Sequence, residues 1–199
     1  MRYYLILSVI FYLLVFANGA FAQRNYQDGY VVTNHNDTIY GRIRDRSPET
    51  TVQIFKMVRM KGFWFFEKKY RPTDIISYRI QDRTFESLWF YNRIKWFKST
   101  HISAPGQGEK VFMRLTYEGK LKLYWDEFRD LEGGYEVQVP YFKKVGSEEM
   151  VRVTQGLFGF KKKRLAEFFV DCPDLIERLY DGFFDGPTEI AEFYDSNCY

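Results

Sequence analysis

The spacing of apolar and polar residues predicts a chain that is mostly β-strand from about residue 29 to residue 154. Residues 29–33 and 38–44 resemble two strands joined by an Asn- and Asp-rich turn at 34–37, which is a hairpin pattern. Pro140 interrupts a later strand, so we expect an edge strand or a break there. The remaining predicted strands are 51–60, 63–70, 75–80, 84–91, 111–117, 120–128, 135–145 and 150–154, with a loop at 101–110.

After Gly159 the apolar residues recur with the period of a helix. Strands followed by helices indicate an α+β fold, which we expect to be predominantly antiparallel β, as a twisted sheet or small open barrel, with a three-helix tail. We assign residues 23–158 to the β-rich domain and 159–199 to a helical tail packed on the sheet. The predicted buried faces are Leu165, Phe168, Phe169 and Cys172, then Leu175, Ile176, Leu179 and Phe183, then Ile190, Phe193 and Tyr194.

The first 22 residues have the three-part pattern of a cleavable secretory signal peptide. Arg2 supplies the positive start, residues 3–16 are uncharged and mostly apolar, and Ala20 and Ala22 place small residues where a signal peptidase cleaves. An uncleaved anchor is the alternative, but this apolar core is shorter than the roughly 20 residues that span a bilayer. We therefore expect an exported chain that begins near Gln23, lies in the periplasm or outside the cell, and spans no membrane after cleavage. Association with the outer membrane stays open.

Composition narrows the class of protein further. The formal net charge of the 199-residue chain is only +3, which together with export argues against a nucleic-acid partner. The basic run at residues 161–164 is most simply a solvated face. Aromatic residues make up 20% of the chain, a content that favours sheets and argues against disorder.

Cys172 and Cys198 are the two cysteines of the chain. Export would place them in an oxidising compartment, and both lie near predicted helix ends that a helical hairpin would bring together. The sequence therefore favours a disulfide between them, with two buried free thiols as the alternative.

The sequence shows none of the common catalytic patterns, so we lean towards a non-catalytic protein with no cofactor and no metal. His35 and His101 both fall in predicted loops, without carboxylates or thiols at the spacing of a zinc site. A calcium loop starting at Asp181 is disfavoured because Phe183 occupies a position that needs an oxygen ligand. The acidic pairs at 126–127, 130–132 and 148–149 are interpreted as surface carboxylates.

Three aromatic runs, at residues 63–66, 89–91 and 96–97, are the best candidates for a binding surface. Alternation along a strand sends neighbouring side chains to opposite faces, so some of these rings must face away from a single core. Packing against the helical tail is the preferred interpretation, and a partner, glycan or lipid is the alternative. The candidate ligand-binding residues are Trp64, Phe66, Trp89, Tyr91 and Trp96.

Several segments together resemble a family of uncharacterised exported proteins from Bacteroidetes. Residues 36–43 (NDTIYGRI) are similar to the "GDTI-x-G-x-I" opening of that family, with Asn36 in place of its Gly. Residues 70–75 resemble its "Y-x-P-x-D-I" step, 119–125 its "G-x-x-x-L-Y" strand, and 171–173 with 194–198 its "DCP … YN-x-C" tail. The resemblance implies an envelope or secreted protein with the two cysteines as a matched pair, and it implies no activity.

Two functions remain as expectations. The first is an exported, non-catalytic structural or interaction module that contacts an unknown envelope protein. The second is a binding protein that holds a lipid or glycan in or on its aromatic-rich sheet. An envelope hydrolase would need polar groups converging in a cleft, and the sequence does not indicate such a site.

Overall fold

The computed structural model describes residues 26–46, 57–62, 66–95, 98–129, 136–156 and 159–198. The predicted signal peptide and residues 51–56 of a predicted strand lie outside these ranges. The described strands are β1 (Gln27–Thr33), β2 (Thr38–Arg44), β3 (Val58–Lys61), β4 (Glu67–Tyr70), β5 (Ile75–Ile80), β6 (Arg83–Lys95), β7 (Lys98–Ile102), β8 (Glu109–Tyr117), β9 (Leu121–Arg129), β10 (Glu136–Lys144) and β11 (Glu149–Arg152). The described helices are α1 (Lys162–Phe168), α2 (Pro173–Asp181) and α3 (Pro187–Asn197).

All of these strands join one antiparallel sheet in the order β4-β3-β2-β1-β5-β6-β7-β11-β10-β9-β8. β6 also pairs with β8, which closes β6, β7, β11, β10, β9 and β8 into a barrel. The length of β6 makes this possible: residues 83–86 pair with β5 and residues 91–95 with β7, while residues 84–90 pair with β8 on the other edge. The predicted α+β class with a mainly antiparallel sheet is confirmed, and the barrel is closed.

The sheet curls twice and buries a different face in each curl. Phe85 on β6 faces a core that it forms with strands β1 to β5. We call these five strands the arm. The neighbours of Phe85 on β6, Leu88 and Phe90, face the barrel interior, where they pack against Met113, Tyr124, Val139, Tyr141 and Met150. Because side chains alternate along a strand, one strand serves both cores. The face of the sheet that lines the interior of the barrel is therefore the face that is exposed to solvent in the arm.

Arg46 connects the arm to the outer wall of the barrel. Its Nη1 donates to the carbonyl of Phe112 at 2.8 Å, and its Nη2 lies 3.7 Å from Glu127 Oε2. Glu127 also pairs with Arg114 Nε at 2.8 Å. The Arg46 side chain is only 14% exposed, so these partners are needed to offset its desolvation.

The three helices cover the outer wall of the barrel on the other side. Their buried residues pack against Leu121 and Leu123 of β9 and Phe142 of β10, with Trp125 at the margin of the same core. The predicted disulfide joins Cys172 before α2 to Cys198 after α3, with Cα atoms 5.3 Å apart. The helical tail is thus closed as a loop and docked as a layer on the sheet.

Two predicted details of the helical tail are wrong. α1 ends at Phe168, so Cys172 is buried in the turn that follows it rather than on its face. α2 ends at Asp181, and Gly182 takes the left-handed conformation with φ 76°. This reversal leaves Phe183 58% exposed and buries Phe184 in its place.

Two predicted details of the sheet are also wrong. Residues 98–102 form β7, whose last two residues fall in the loop predicted at 101–110. β10 runs unbroken through Pro140 and is not an edge strand, since it lies between β9, which pairs along its whole length, and β11. The pairing of β10 with β11 covers only Tyr141–Lys143. The Pro140 carbonyl faces the β11 side and accepts from Val153 N at 2.9 Å. The Pro140 nitrogen, which carries no hydrogen to donate, faces the same side.

Candidate interaction surface

The exposed face of the arm, which we call the arm surface, is defined by the strand register. Its side chains alternate with the buried residues Val31, Ile43, Val58 and Tyr78 of the arm core. On this face the described strands carry the cations Arg42, Arg44, Arg59, Lys61, Lys69 and Arg79, the acids Asp28 and Glu67, and the aromatic residues Tyr30 and Tyr40. Cations outnumber acids on it, although the whole chain is close to neutral.

Two tyrosines occupy one end of the arm surface. Tyr30 and Tyr40 are direct cross-strand neighbours with ring centroids 5.7 Å apart in an edge-to-face arrangement. Arg79 is the neighbour of Tyr30 on the other side, on β5. The Tyr40 side chain is 77% exposed. Tyrosine beside arginine on an exposed face is typical of residues that dominate binding interfaces.

Three cations form a row across the other end, which we call the cationic rung: Arg44 of β2, Arg59 of β3 and Lys69 of β4. Arg44 lies directly opposite Arg59, and Arg59 directly opposite Lys69. Direct neighbours on one face have Cβ atoms about 4.5–5.5 Å apart, where like charges destabilise a sheet. Glu67 offsets part of this charge through Arg59, with Nη1 and Oε1 3.4 Å apart.

Tyr26 packs over the cations next to the rung. Lys61 Nζ lies 4.4 Å from the centre of its ring and Arg44 Cζ 5.9 Å, while Arg42 Nη2 donates to its carbonyl at 2.9 Å. Its hydroxyl donates to Glu67. Burial, followed by the hydrogen bond and charge of Glu67, raises the pKa of Tyr26 to about 12. Tyr26 thus fixes the positions of cations that would otherwise repel one another.

The barrel interior holds a half-buried acid with two donors. Glu86 of β6 accepts from Tyr124 Oη at 2.6 Å and from Lys122 Nζ at 3.0 Å. Burial, then the charge and hydrogen bond of Glu86, raises the pKa of Tyr124, so its hydroxyl stays a donor. Burial opposes protonation of Lys122, but its bonds to Glu86 and Glu118 outweigh this and raise its pKa. The three interior groups satisfy one another and are best explained as structural.

His101 is packed between aromatic rings in the barrel, contrary to the prediction of a solvated loop residue. Its ring stacks on Phe90 with centroids 5.4 Å apart and meets Tyr141 edge-on at 5.0 Å. Burial, then the nearby charges of Lys161, Arg152 and Arg164, lowers the pKa of His101 to about 4. The imidazole is therefore neutral at ordinary pH.

The charged runs interpreted as surface are only partly exposed. Of the run at 161–164, Lys163 alone is exposed, and Arg164 pairs with Glu167 Oε2 at 2.5 Å. Asp126 and Glu127 are both half-buried, and burial raises the pKa of Asp126. Asp126 and Glu127 lie in β9, where cross-strand packing, which single-strand periodicity does not report, covers their side chains. Residues 148–149 are exposed as expected.

The predicted ligand-binding aromatics do not fall in one stretch of the sheet. Phe66 precedes the edge strand β4 and is 80% exposed, whereas Trp89 and Tyr91 share the outer face of β6, and four strands lie between β4 and β6 in the sheet order. Trp64 and Trp96 lie outside the described residues. Phe90 points into the barrel, so the expected division of one run between two faces is confirmed. The helical tail packs instead on other aromatics, among them Phe142 and Trp125.

The arm surface was not among the sites that the sequence indicated. The alternation of Tyr40, Arg42 and Arg44 in β2 was a usable signal, because it places a ring and two cations on one face. The pairing of that strand with Arg59 and Lys69 was not visible in the sequence.

Among the described residues, no group of three or more His, Cys, Asp and Glu side chains is placed to hold a metal ion. None of the described helices is long and apolar enough to cross a bilayer. No protein-family model, no curated protein and no solved structure matches this chain.

Proposed function

We propose that this protein is an exported, non-catalytic module of the cell envelope that binds its partner through the arm surface. The observation that carries the proposal is the exposed face of the arm, where Tyr40 is 77% exposed beside Tyr30 and a set of cations. The side chains on this face do not contribute to the arm core, which lies on the opposite face of the same strands.

Two further features support a role in binding outside the cytoplasm. The Cys172–Cys198 disulfide is compatible with an oxidising compartment, as the signal-like first 22 residues predict. The barrel interior is filled by large buried side chains such as Met113, Tyr124 and Met150. This packing supports a ligand on the sheet rather than inside the barrel.

Cosedimentation with envelope fragments from the producing cells tests the proposal. We expect the mature, disulfide-bonded protein to sediment with the fragments and Tyr40→Asp to abolish most of this binding. Tyr180→Asp is the matched control, since Tyr180 lies in the helical tail and is 53% exposed. Equal binding by the two variants, or no binding by the wild-type protein, would overturn the proposal.

A further inference from the structure

The cationic rung is an arrangement that folding alone does not favour. Arg44, Arg59 and Lys69 are consecutive cross-strand neighbours on one face. A second like-charge pair, Arg42 opposite Lys61, lies in the adjacent row. Exposed sheets normally place opposite charges across from one another, because like charges at this spacing repel.

The acids on the arm surface leave part of this charge without an anion. Asp28 lies opposite Arg42, and Glu67 lies opposite Lys61 and pairs with Arg59. Within the ranges that the structure describes, no carboxylate lies within ion-pair distance of Arg44 or Lys69. The two ends of the rung are therefore available to anionic groups from outside the chain.

We propose that the cationic rung, together with Tyr30 and Tyr40, binds an acidic polysaccharide of the cell envelope. This inference rests on the proposed function and names its partner. Cations repeated at the strand spacing of about 4.8 Å match a polymer that repeats an anionic group. The exposed Tyr40 ring offers a flat apolar face to the C–H face of a sugar ring, while the rung binds its acidic groups.

The same face suits a membrane less well. Binding to a lipid surface combines basic residues with apolar side chains that insert between the headgroups. Among the described residues of the arm surface, Val32 supplies an aliphatic side chain and is half-buried, and the more exposed Ile39 of β2 alternates onto the opposite face. We therefore treat anionic vesicles and acidic proteins as competing outcomes of the test.

The experiment measures the affinity of the mature protein for polygalacturonate and dextran sulfate, with neutral dextran as the blank. Charge-driven binding should weaken strongly between about 50 mM and about 200 mM salt, because counterions compete for the same groups. The rung variant is Arg44→Gln with Lys69→Gln, which removes the two ends of the rung and leaves the Arg59–Glu67 pair intact. Its matched control is Arg93→Gln with Lys163→Gln, which removes the same charge from exposed positions on β6 and α1.

We expect the rung variant to lose about tenfold in affinity for both acidic polysaccharides, the loss expected for two exposed charge contacts. The control should stay within about threefold of the wild-type protein. Tyr40→Ala should weaken binding to the polysaccharides and leave binding to polyglutamate, which has no sugar rings, unchanged.

Three results would overturn the inference: equal losses in the rung and control variants, tighter binding to phosphatidylglycerol vesicles, or equal affinity for polyglutamate and polygalacturonate. Envelope cosedimentation separates this inference from the proposed function. If the rung variant sediments with envelope fragments like the wild-type protein while Tyr40→Asp does not, the polysaccharide is wrong and the arm surface still binds.

Discussion

Asp195 on α3 occupies the space that a side chain at Gly119 would need. A Cβ built on Gly119 would lie 1.5 Å from Asp195 Oδ2. The carboxylate instead accepts from Lys120 N at 3.1 Å and from Leu121 N at 3.0 Å. The last helix is thereby fixed to the β8–β9 turn, so the tail and the barrel are stabilised together.

Gly119→Ala should lower the free energy of unfolding by about 1–3 kcal/mol, because Asp195 must leave two backbone donors. Denaturant unfolding measures the loss, with Gly62→Ala as the control, since within the described part of the chain its Cβ would meet nothing nearer than the carbonyl oxygen of Phe66 at 3.9 Å. In an Asp195→Ala background the same Gly119→Ala change should cost much less. Additive losses in this double-mutant cycle would contradict the contact.

The disulfide should stabilise the tail through the loop that it closes. The two cysteines are 26 residues apart, for which chain entropy predicts a stabilisation of about 3.5 kcal/mol. Cys172→Ser with Cys198→Ser should lower the free energy of unfolding by about this amount. Dithiothreitol should destabilise the wild-type protein and leave the variant unchanged; a wild-type protein indifferent to the reductant would argue against the bridge.

His101 should make stability depend on pH. Its pKa of about 4 in the folded protein lies below its ordinary value of 6.5, so the unfolded chain takes up the proton first as the pH falls. This contribution is complete above about pH 6.5 and is lost towards pH 4, by at most about 3 kcal/mol. Between about pH 6.5 and about pH 4 the wild-type protein should therefore lose up to about 3 kcal/mol more of its free energy of unfolding than His101→Phe loses.

His35→Gln is the matched control for this experiment, because His35 is exposed in the β1–β2 turn. Its curve should run parallel to that of the wild-type protein at every pH. A His101→Phe curve that also runs parallel would show that the imidazole titrates normally in the folded barrel.

Glu86 should be the most sensitive charge inside the barrel. Glu86→Ala leaves the Tyr124 hydroxyl without its acceptor and Lys122 with Glu118 as its remaining acid partner, and should lower the free energy of unfolding by about 2–4 kcal/mol. Glu86→Gln keeps an oxygen acceptor and should cost less. Glu118→Ala is the control, because Glu118 is 69% exposed and its pair with Lys122 should contribute less than about 1 kcal/mol. Equal losses in Glu86→Ala and Glu118→Ala would contradict the assignment.

The hairpins were predictable because their turns are local in sequence. Asn36 adopts φ 65° in the β1–β2 turn, as the Asn- and Asp-rich cluster suggested, and the β8–β9 turn falls at Glu118 and Gly119. The closure of the barrel was not predictable. It depends on β6 pairing with both β7 and β8, and on β7 pairing with β11 across about fifty residues of chain.

The arm surface could likewise be predicted only in part from the sequence. Arg42 and Arg44 could be placed on one face of β2 from alternation alone. Their opposition to Lys61 and Arg59 depends on the register of β3, which follows from packing of the arm core around Ile43 and Met60. His101 was misassigned because its neighbours Pro105 and Gly106 suggested a loop, whereas its partners on β6 and β10 are distant in sequence.

A photo-crosslinking amino acid at position 40 tests the arm surface most directly. The central claim predicts an adduct with an envelope component when the residue replaces Tyr40, and none when it replaces Tyr180 in the helical tail. An adduct at position 180 with none at position 40 would contradict the claim.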